Sequence, residues 1–370
     1  MTRKHGLQRL LLGLLVCLAL LLAAGCGGDD ESSSSSTTAS TDTASTDTES
    51  TDTTTTAEGG EAKPFKVGLV TDIGGINDRG FNQFAYEGLK QAKTELGVEI
   101  RVAQSDSNAD YVPNLSTLAR QGYDLVIAVG FLTGDATHQI AEQFPDTQFG
   151  IVDFGYAPED ELDNLQSLLF KEQQAGYLVG YLAGLVTAEK SDRTNTQLVV
   201  GSIGGQKIPP VDRYIAGFQK GAKDANPNVK TLNAYSQDFV DQGKCKEAAL
   251  NQIEQGADVV FNVAGGCGLG VLTAAKDKGV WGIGVDSDQS FIGAQVLTSA
   301  RKKVDVAVFE AIKSAKAGEF EKGTRTFELS NEGVGFGKVA SSIPQEMVDK
   351  VKEQQQKILD GEIEIPETVK

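Results

Sequence analysis

From residue 65 onward, short apolar runs rich in β-branched residues alternate with longer segments of helical period. The runs at 66–71, 100–104, 124–129, 148–153 and 165–170 read as strands. Helical segments fall between them at 84–96, 112–121 and 135–143. The strands are apolar throughout instead of alternating, the pattern of parallel strands covered on both faces. A helix at 172–189 carries Gly176, Gly180 and Gly184 every fourth residue, a spacing suited to close packing. The rhythm then restarts, with strands expected at 197–203, 229–235, 258–263, 280–285 and 295–299. Helices are expected at 212–226, 243–255, 270–277, 303–317 and 344–359. Repeated strand–helix units predict doubly wound α/β sheets, here two in series with a cleft between them. Ligands of such sheets bind outside the carboxyl ends of the strands.

The first 63 residues follow another pattern. Arg3, Lys4 and Arg9 precede an unbroken apolar run from Leu10 to Ala24, which ends at Gly25-Cys26. That is the layout of a secretory signal, too short for a spanning helix of roughly 20 residues. Residues 1–25 are therefore expected to be a lipoprotein signal peptide, with Cys26 the lipidated residue. Residues 26–63 are mostly Ser, Thr, Asp, Glu, Ala and Gly and are expected to form a disordered tether. The body is expected outside the cytoplasm, held to the membrane by a lipid. It divides, on this reading, into a first lobe of 64–190 plus 290–332 and a second of 191–289 plus 333–370.

The formal net charge is −17, which argues against nucleic acid as a partner. His138 is the only histidine beyond the leader, which leaves little room for His-based catalysis or metal binding. Cys245 begins a helix, and Cys267 follows the strand that returns beside it. That geometry permits a disulfide between them, with two buried thiols as the alternative.

Candidate chemistry sits at strand ends. TDIGGINDRGFNQ, at 71–83, offers carboxylates, amides and the aromatic Phe81, although Asp72 and Asp78 also suit turn and cap positions. AGGCGLG, at 264–270, resembles a dinucleotide loop but has Val271 at the third glycine position, so no nicotinamide or flavin is expected. Asp286 and Asp288 follow another strand. They suit ligand hydroxyls, and also a divalent metal or a glycosidase pair, but no full ligand set or second acid accompanies them.

The blocks KVGLVTDIGGINDRGFNQ, IAVGFLTGDA, YLVGYLAG, GSIGGQKIPPVDRYIAGFQKGA, GADVVFNVAGGCGLGV, GIGVDSDQ and VLTSARKKVDVAV occur in that order over about 66–310. Together they resemble the basic membrane protein family of lipoproteins, whose best-understood members are purine nucleoside receptors feeding ABC transporters. The resemblance implies a type I periplasmic-binding-protein fold, two α/β lobes joined by hinge crossovers. It implies a non-enzymatic receptor without cofactor or metal, acting as a monomer with a nucleoside ligand and an ABC permease as partners; the alternatives are a receptor for another small polar ligand, a sugar or an autoinducer, or a surface hydrolase. By the same resemblance, Phe81 and Phe239 stack on the base. Asp72, Glu172, Asp286 and Lys302 hold base and ribose, with Asn77, Asn82 and Gly265 nearby. Arg79-Gly80 and Cys267 depart from the family pattern, where small or hydroxyl residues and Thr are common.

Overall fold

The computed structural model describes residues 63–369. The expected leader, Cys26 and the expected tether up to residue 62 lie outside the described residues. A first sheet takes β1 (Lys66–Ile73), β2 (Glu99–Ser105), β3 (Leu125–Val129), β4 (Gln148–Val152), β5 (Leu165–Phe170) and β11 (Gly323–Phe327), in the spatial order β11-β5-β4-β3-β1-β2. All of its strand pairs are parallel. A second sheet takes β6 (Val199–Gly204), β7 (Lys230–Tyr235), β8 (Ala257–Val263), β9 (Trp281–Asp286), β10 (Val296–Lys302) and β12 (Val334–Phe336), in the order β12-β10-β9-β8-β6-β7. Only β12 runs antiparallel to its neighbour.

Layering explains the apolar strands. Leu69, Ile127 and Val129 turn to one face of the first sheet and join Ala85 and Leu89 of α1 (Phe81–Leu96). Val70, Val126 and Ala128 turn to the other and join Leu115 and Leu118 of α2 (Tyr111–Arg120) and Ile140 of α3 (Gly134–Gln143). With both faces covered, successive residues must all be apolar. The edge strands β2 and β7 depart from this and leave most residues partly exposed.

The chain crosses between lobes three times among the described residues. After β5, α4 (Glu172–Val186) packs on α5 (Pro209–Ala225) and against β10 and β12, so it belongs to the second lobe. After β10, α8 (Val304–Lys316) returns to pack on α1 and against β3 and β4. The third crossing joins β11 to β12. These positions correct two expected boundaries. The first crossing precedes α4 and does not wait for residue 190. The second follows Lys302, because β10 pairs with β9 in the second sheet, and does not fall near residue 290. The crossovers are stitched together: Lys171 donates its N–H to the Phe327 carbonyl and Lys303 donates to that of Gly333, each at 2.9 Å. The remaining helices are α6 (Gln242–Glu254) and α7 (Leu269–Lys278), both on the second lobe, and α9 (Gln345–Leu359), which packs on α4.

The glycine ladder of α4 has a steric cause. A Cβ at Gly176, Gly180 or Gly184 would run into the carbonyl oxygens of Tyr214, Phe218 and Ala222 on α5. The two helices therefore touch backbone to backbone. Ala normally favours a helix over Gly by about 1 kcal/mol. Here Gly180→Ala is expected to destabilise the protein by about 1–3 kcal/mol, because the added methyl overpacks the contact. Urea unfolding checks this: the midpoint drops with an unchanged slope, and an equal or higher midpoint contradicts the packing.

Candidate functional site

The carboxyl ends of both sheets face one cleft. From the first lobe it is lined by Asp72, Asp78, Phe81, Asn82, Phe131 and Asp153; from the second by Tyr214, Phe239, Gly265, Asp286 and Lys302. Ile208, Val211, Val263 and Val285 add apolar wall.

The β1 end and the start of α1 form the first wall. Asp72 donates its backbone N–H to Asn82 Oδ1 at 3.1 Å, and Asn82 Nδ2 donates to the Ile73 carbonyl at 3.4 Å. Asn82 thus ties the end of β1 to the start of α1 through both ends of its amide. Asp72 Oδ1 accepts from Tyr111 Oη at 2.5 Å and from the Ile73 N–H at 2.7 Å. Burial pushes the Asp72 carboxyl up to about 6, and those two bonds oppose the shift. Asp78 accepts from the backbone N–H groups of Gly80, Asn82 and Gln83 at 2.8–3.0 Å, which makes it the anchor of the α1 N-terminus. Burial still raises its pKa. Phe81 is the first residue of α1 and sits half-buried on the wall.

The floor is an ionic network. Lys302, the last residue of β10, is 1% exposed. Its Nζ donates to Asp153 Oδ2 at 2.6 Å and to Glu172 Oε1 at 2.9 Å. Glu172 Oε2 in turn accepts from Arg213 Nε at 2.6 Å. The ammonium also lies 5.1 Å from the Phe81 ring centre and 4.8 Å from that of Phe170. Burial alone would lower the Lys302 pKa, but the carboxylates of Asp153, Glu172 and Asp286 outweigh it and hold the pKa above its ordinary value. Asp286 ends β9 and accepts from Tyr214 Oη at 3.2 Å. Burial pushes it up to about 7 against the pull of Lys302, with Asp153 and Asp78 adding to the rise. Burial likewise pushes Asp153 up to about 6 in spite of its bond to Lys302. Both aspartates hold left-handed backbone, φ 74° at Asp153 and 60° at Asp286. Such conformations cost about 1–3 kcal/mol in a non-glycine residue. They end equivalent strands of the two sheets and aim both carboxylates at one lysine. Asp153 Oδ1 is buried and has no hydrogen-bond partner.

The lobes also touch at the rim. Arg79, at φ 54°, turns its carbonyl to accept from Ser287 Oγ at 3.3 Å and Gln289 Nε2 at 3.2 Å.

Most of the residues singled out in the sequence meet here: Asp72, Phe81, Asn82, Phe239, Gly265, Asp286 and Lys302 all line the cleft. Two do not. Asn77 is exposed on the turn before α1, and its neighbour Asp78 faces inward in its place. Glu172 is fully buried behind Lys302, where it holds the lysine and does not line the cleft. The alternatives for Asp286 and Asp288 separate as well. Asp288 accepts from the Ser290 and Lys338 backbone, so it is a turn anchor and not a partner to Asp286. His138 bonds the Asp160 carbonyl at 2.9 Å, outside the cleft. Cys245 and Cys267 are joined in a disulfide. Asp153, Tyr111, Tyr214 and Arg213 were not anticipated. For Asp153 the signal was present, a polar residue at the carboxyl end of a parallel strand.

Two lobes, three crossovers and a polar, aromatic cleft at the strand ends define a two-lobed solute-binding protein. The family model for ABC transporter substrate-binding proteins of the PnrA-like type matches residues 65–369, and the chain belongs to that family. It is 40% identical over 329 residues to a CD4+ T-cell-stimulating antigen of Listeria monocytogenes, covering 83% of this chain and 89% of the relative. It is 35% identical over 325 residues to the ABC transporter nucleoside-binding protein BmpA of Lactococcus lactis subsp. cremoris, covering 81% and 89%. The fold matches a solute-binding protein of an ABC transporter system from Aeropyrum pernix K1 with a TM-score of 0.76 at 27% identity, covering 83% of this chain and 94% of that one.

The floor makes a pH-dependent prediction. Asp72, Asp153 and Asp286 hold protons more tightly when folded, near 6, 6 and 7 against an ordinary 3.8. Their contribution to stability is complete below about pH 4 and is lost as pH rises to 7, at up to about 1.4 kcal/mol per unit for each acid. Asp286→Asn removes one such acid, so its stability relative to wild type is expected to be higher at pH 8 than at pH 5. Lys302→Met strands two carboxylates and is expected to cost about 3–5 kcal/mol at pH 8, less at pH 5. Chemical denaturation of ligand-free protein across pH measures both. Parallel curves for Asp286→Asn and wild type contradict the assignment.

Proposed function

We propose that this chain is a lipid-anchored receptor that captures purine nucleosides outside the cytoplasm and delivers them to an ABC importer. The observation that carries the reading is the pair Phe81 and Phe239, one from each lobe, on a cleft whose floor is Asp286, Asp153 and Lys302. A flat base between two aromatic rings gains roughly 1–3 kcal/mol per stacking contact, without regard to its identity. Identity is read at the edge. Asp72 offers a carboxylate acceptor to the N–H donors of a purine edge, with the Asn82 amide beside it on the same wall. Ribose hydroxyls then donate to carboxylates on the floor, bonds worth about 1.5–3 kcal/mol each when charge-assisted. The free Asp153 Oδ1 adds an acceptor that a hydroxyl can fill.

The same floor selects against phosphate. Asp72, Asp78, Asp153 and Asp286 line the cleft with Lys302 as their cation, and Arg213 is spent on Glu172. A nucleotide brings further negative charge into a buried, acid-rich site and is repelled. The anchor rests on the run Leu22 to Cys26, which has the form of a lipoprotein signal. The similarity to a nucleoside-binding relative supports the ligand class.

Isothermal calorimetry on ligand-free protein tests the proposal with adenosine, guanosine, inosine, uridine, adenine and AMP. Purine nucleosides are expected to bind, and AMP at least about a hundredfold more weakly than adenosine. Phe81→Ala or Phe239→Ala is expected to weaken every nucleoside by about 10- to 100-fold. Asp286→Asn is expected to weaken adenosine more than adenine. Affinity falls below pH 7, by up to about tenfold per unit, because the accepting carboxylates become protonated. A folded, ligand-free protein that binds none of these compounds overturns the nucleoside reading.

A further inference from the structure

The aromatic wall of the second lobe hangs on the disulfide. Phe239 sits in the turn that leads into α6, and the cleft glycines Gly265 and Gly266 sit in the turn after β8. Three links bind these turns together. The Phe239 carbonyl accepts from the Cys267 N–H at 2.9 Å. Cys267 is bonded to Cys245, the fourth residue of α6, with their Cα atoms 5.6 Å apart. Asp238 and Asp241 fasten the Phe239 turn to the α6 N-terminus: Asp241 Oδ1 accepts from the Gly243 N–H at 2.8 Å, and Asp238 Oδ2 accepts from Lys244 Nζ at 2.7 Å. The result is a closed ring. It runs along the chain from Phe239 to Cys245, through the disulfide to Cys267, and back by hydrogen bond to Phe239. Both cysteines are fully buried, and the Phe239 ring backs onto Gly205, where any Cβ would collide with it. A shift of the Phe239 backbone along the cleft wall works against these links.

We propose that the Cys245–Cys267 disulfide is a positioning element of the binding site, which sets the place of the Phe239 ring before ligand arrives. The proposal rests on the reading that Phe239 stacks on the ligand. A positioned ring spares the ligand the entropy of ordering it, which for one side chain and its turn amounts to roughly a three- to tenfold gain in affinity. A disulfide that served only global stability, by restricting the unfolded chain, would shift the unfolding midpoint and leave the affinity of folded protein unchanged.

The experiment compares wild type with Cys245→Ala/Cys267→Ala, each with and without Phe239→Ala, at a temperature where all four are folded. Adenosine affinity is expected to fall roughly three- to tenfold on loss of the disulfide when Phe239 is present, and not to fall further when it is absent. An equal loss in both backgrounds, or no loss in either, overturns the proposal. Amide hydrogen exchange on ligand-free protein gives a readout independent of the nucleoside reading. Exchange is expected to quicken at 236–241 and 264–268 in the cysteine variant and to stay unchanged at 66–73. Unchanged exchange at 236–241 overturns the proposal even if adenosine binds. Should wild type bind no nucleoside while exchange responds as expected, the ligand assignment fails and the positioning of Phe239 stands. If the cysteine variant does not fold, Cys245→Val/Cys267→Ala, which refills more of the buried volume left by the sulfurs, takes its place. The same exchange and affinity outcomes then apply.

Discussion

A single ammonium group, buried where the chain passes between lobes, organises this molecule. Lys302 closes β10 and stands one residue before the second crossing. Its partners come from both sides of the hinge: Asp153 follows β4 of the first lobe, and Glu172 opens α4 at the first crossing. A buried charge of this kind is tolerated only with close, hydrogen-bonded partners. That requirement accounts for Arg213, which occupies the second oxygen of Glu172, and for the left-handed backbone at Asp153 and Asp286, which aims two strand-end carboxylates at the same point. The strain is local, and the two sheets supply the rigidity that holds it.

The network leaves the cleft with more acceptors than donors. Asp153 keeps an unpartnered oxygen, and Asp72 and Asp286 are buried enough to hold protons toward neutral pH. Such a floor favours a neutral ligand rich in hydroxyl and N–H donors. The walls add Phe81 from one lobe and Phe239 from the other, so on the proposed reading a flat ligand is gripped only when both lobes contribute. Rim contacts from Ser287 and Gln289 to the Arg79 carbonyl join the lobes on the same side. On the proposed reading, binding and lobe contact are one event in this geometry.

The apolar strands and their helices were legible because burial on both faces leaves a simple signature. β3, with every residue buried, is the clearest case. The short edge strands β11 and β12 were not foreseen, since GTRTF and VGF have neither the length nor the apolar run that marks a buried strand. The first crossing falls earlier than expected for a related reason: the glycines of α4 announce close packing but not the partner, which is α5 of the second lobe. In the cleft, residues on recognisable motifs were found, Phe81, Asp286 and Lys302 among them. Asp153 was passed over because QFGIVD reads as a strand that simply ends, and nothing local reveals the backbone turn that brings its carboxylate to a lysine 149 residues away. The resemblance places Glu172 on the ligand, and its position after β5 does not distinguish facing the ligand from backing the group that does.

The central claim is that this cleft, with its two aromatic walls and acid-lined floor, holds a purine nucleoside. Its most direct test is mass spectrometry of the small molecule released on denaturing protein that has been purified under native conditions without refolding. A purine nucleoside without phosphate is expected, near one per chain. A nucleotide, a sugar or an amino acid released in that amount would contradict it.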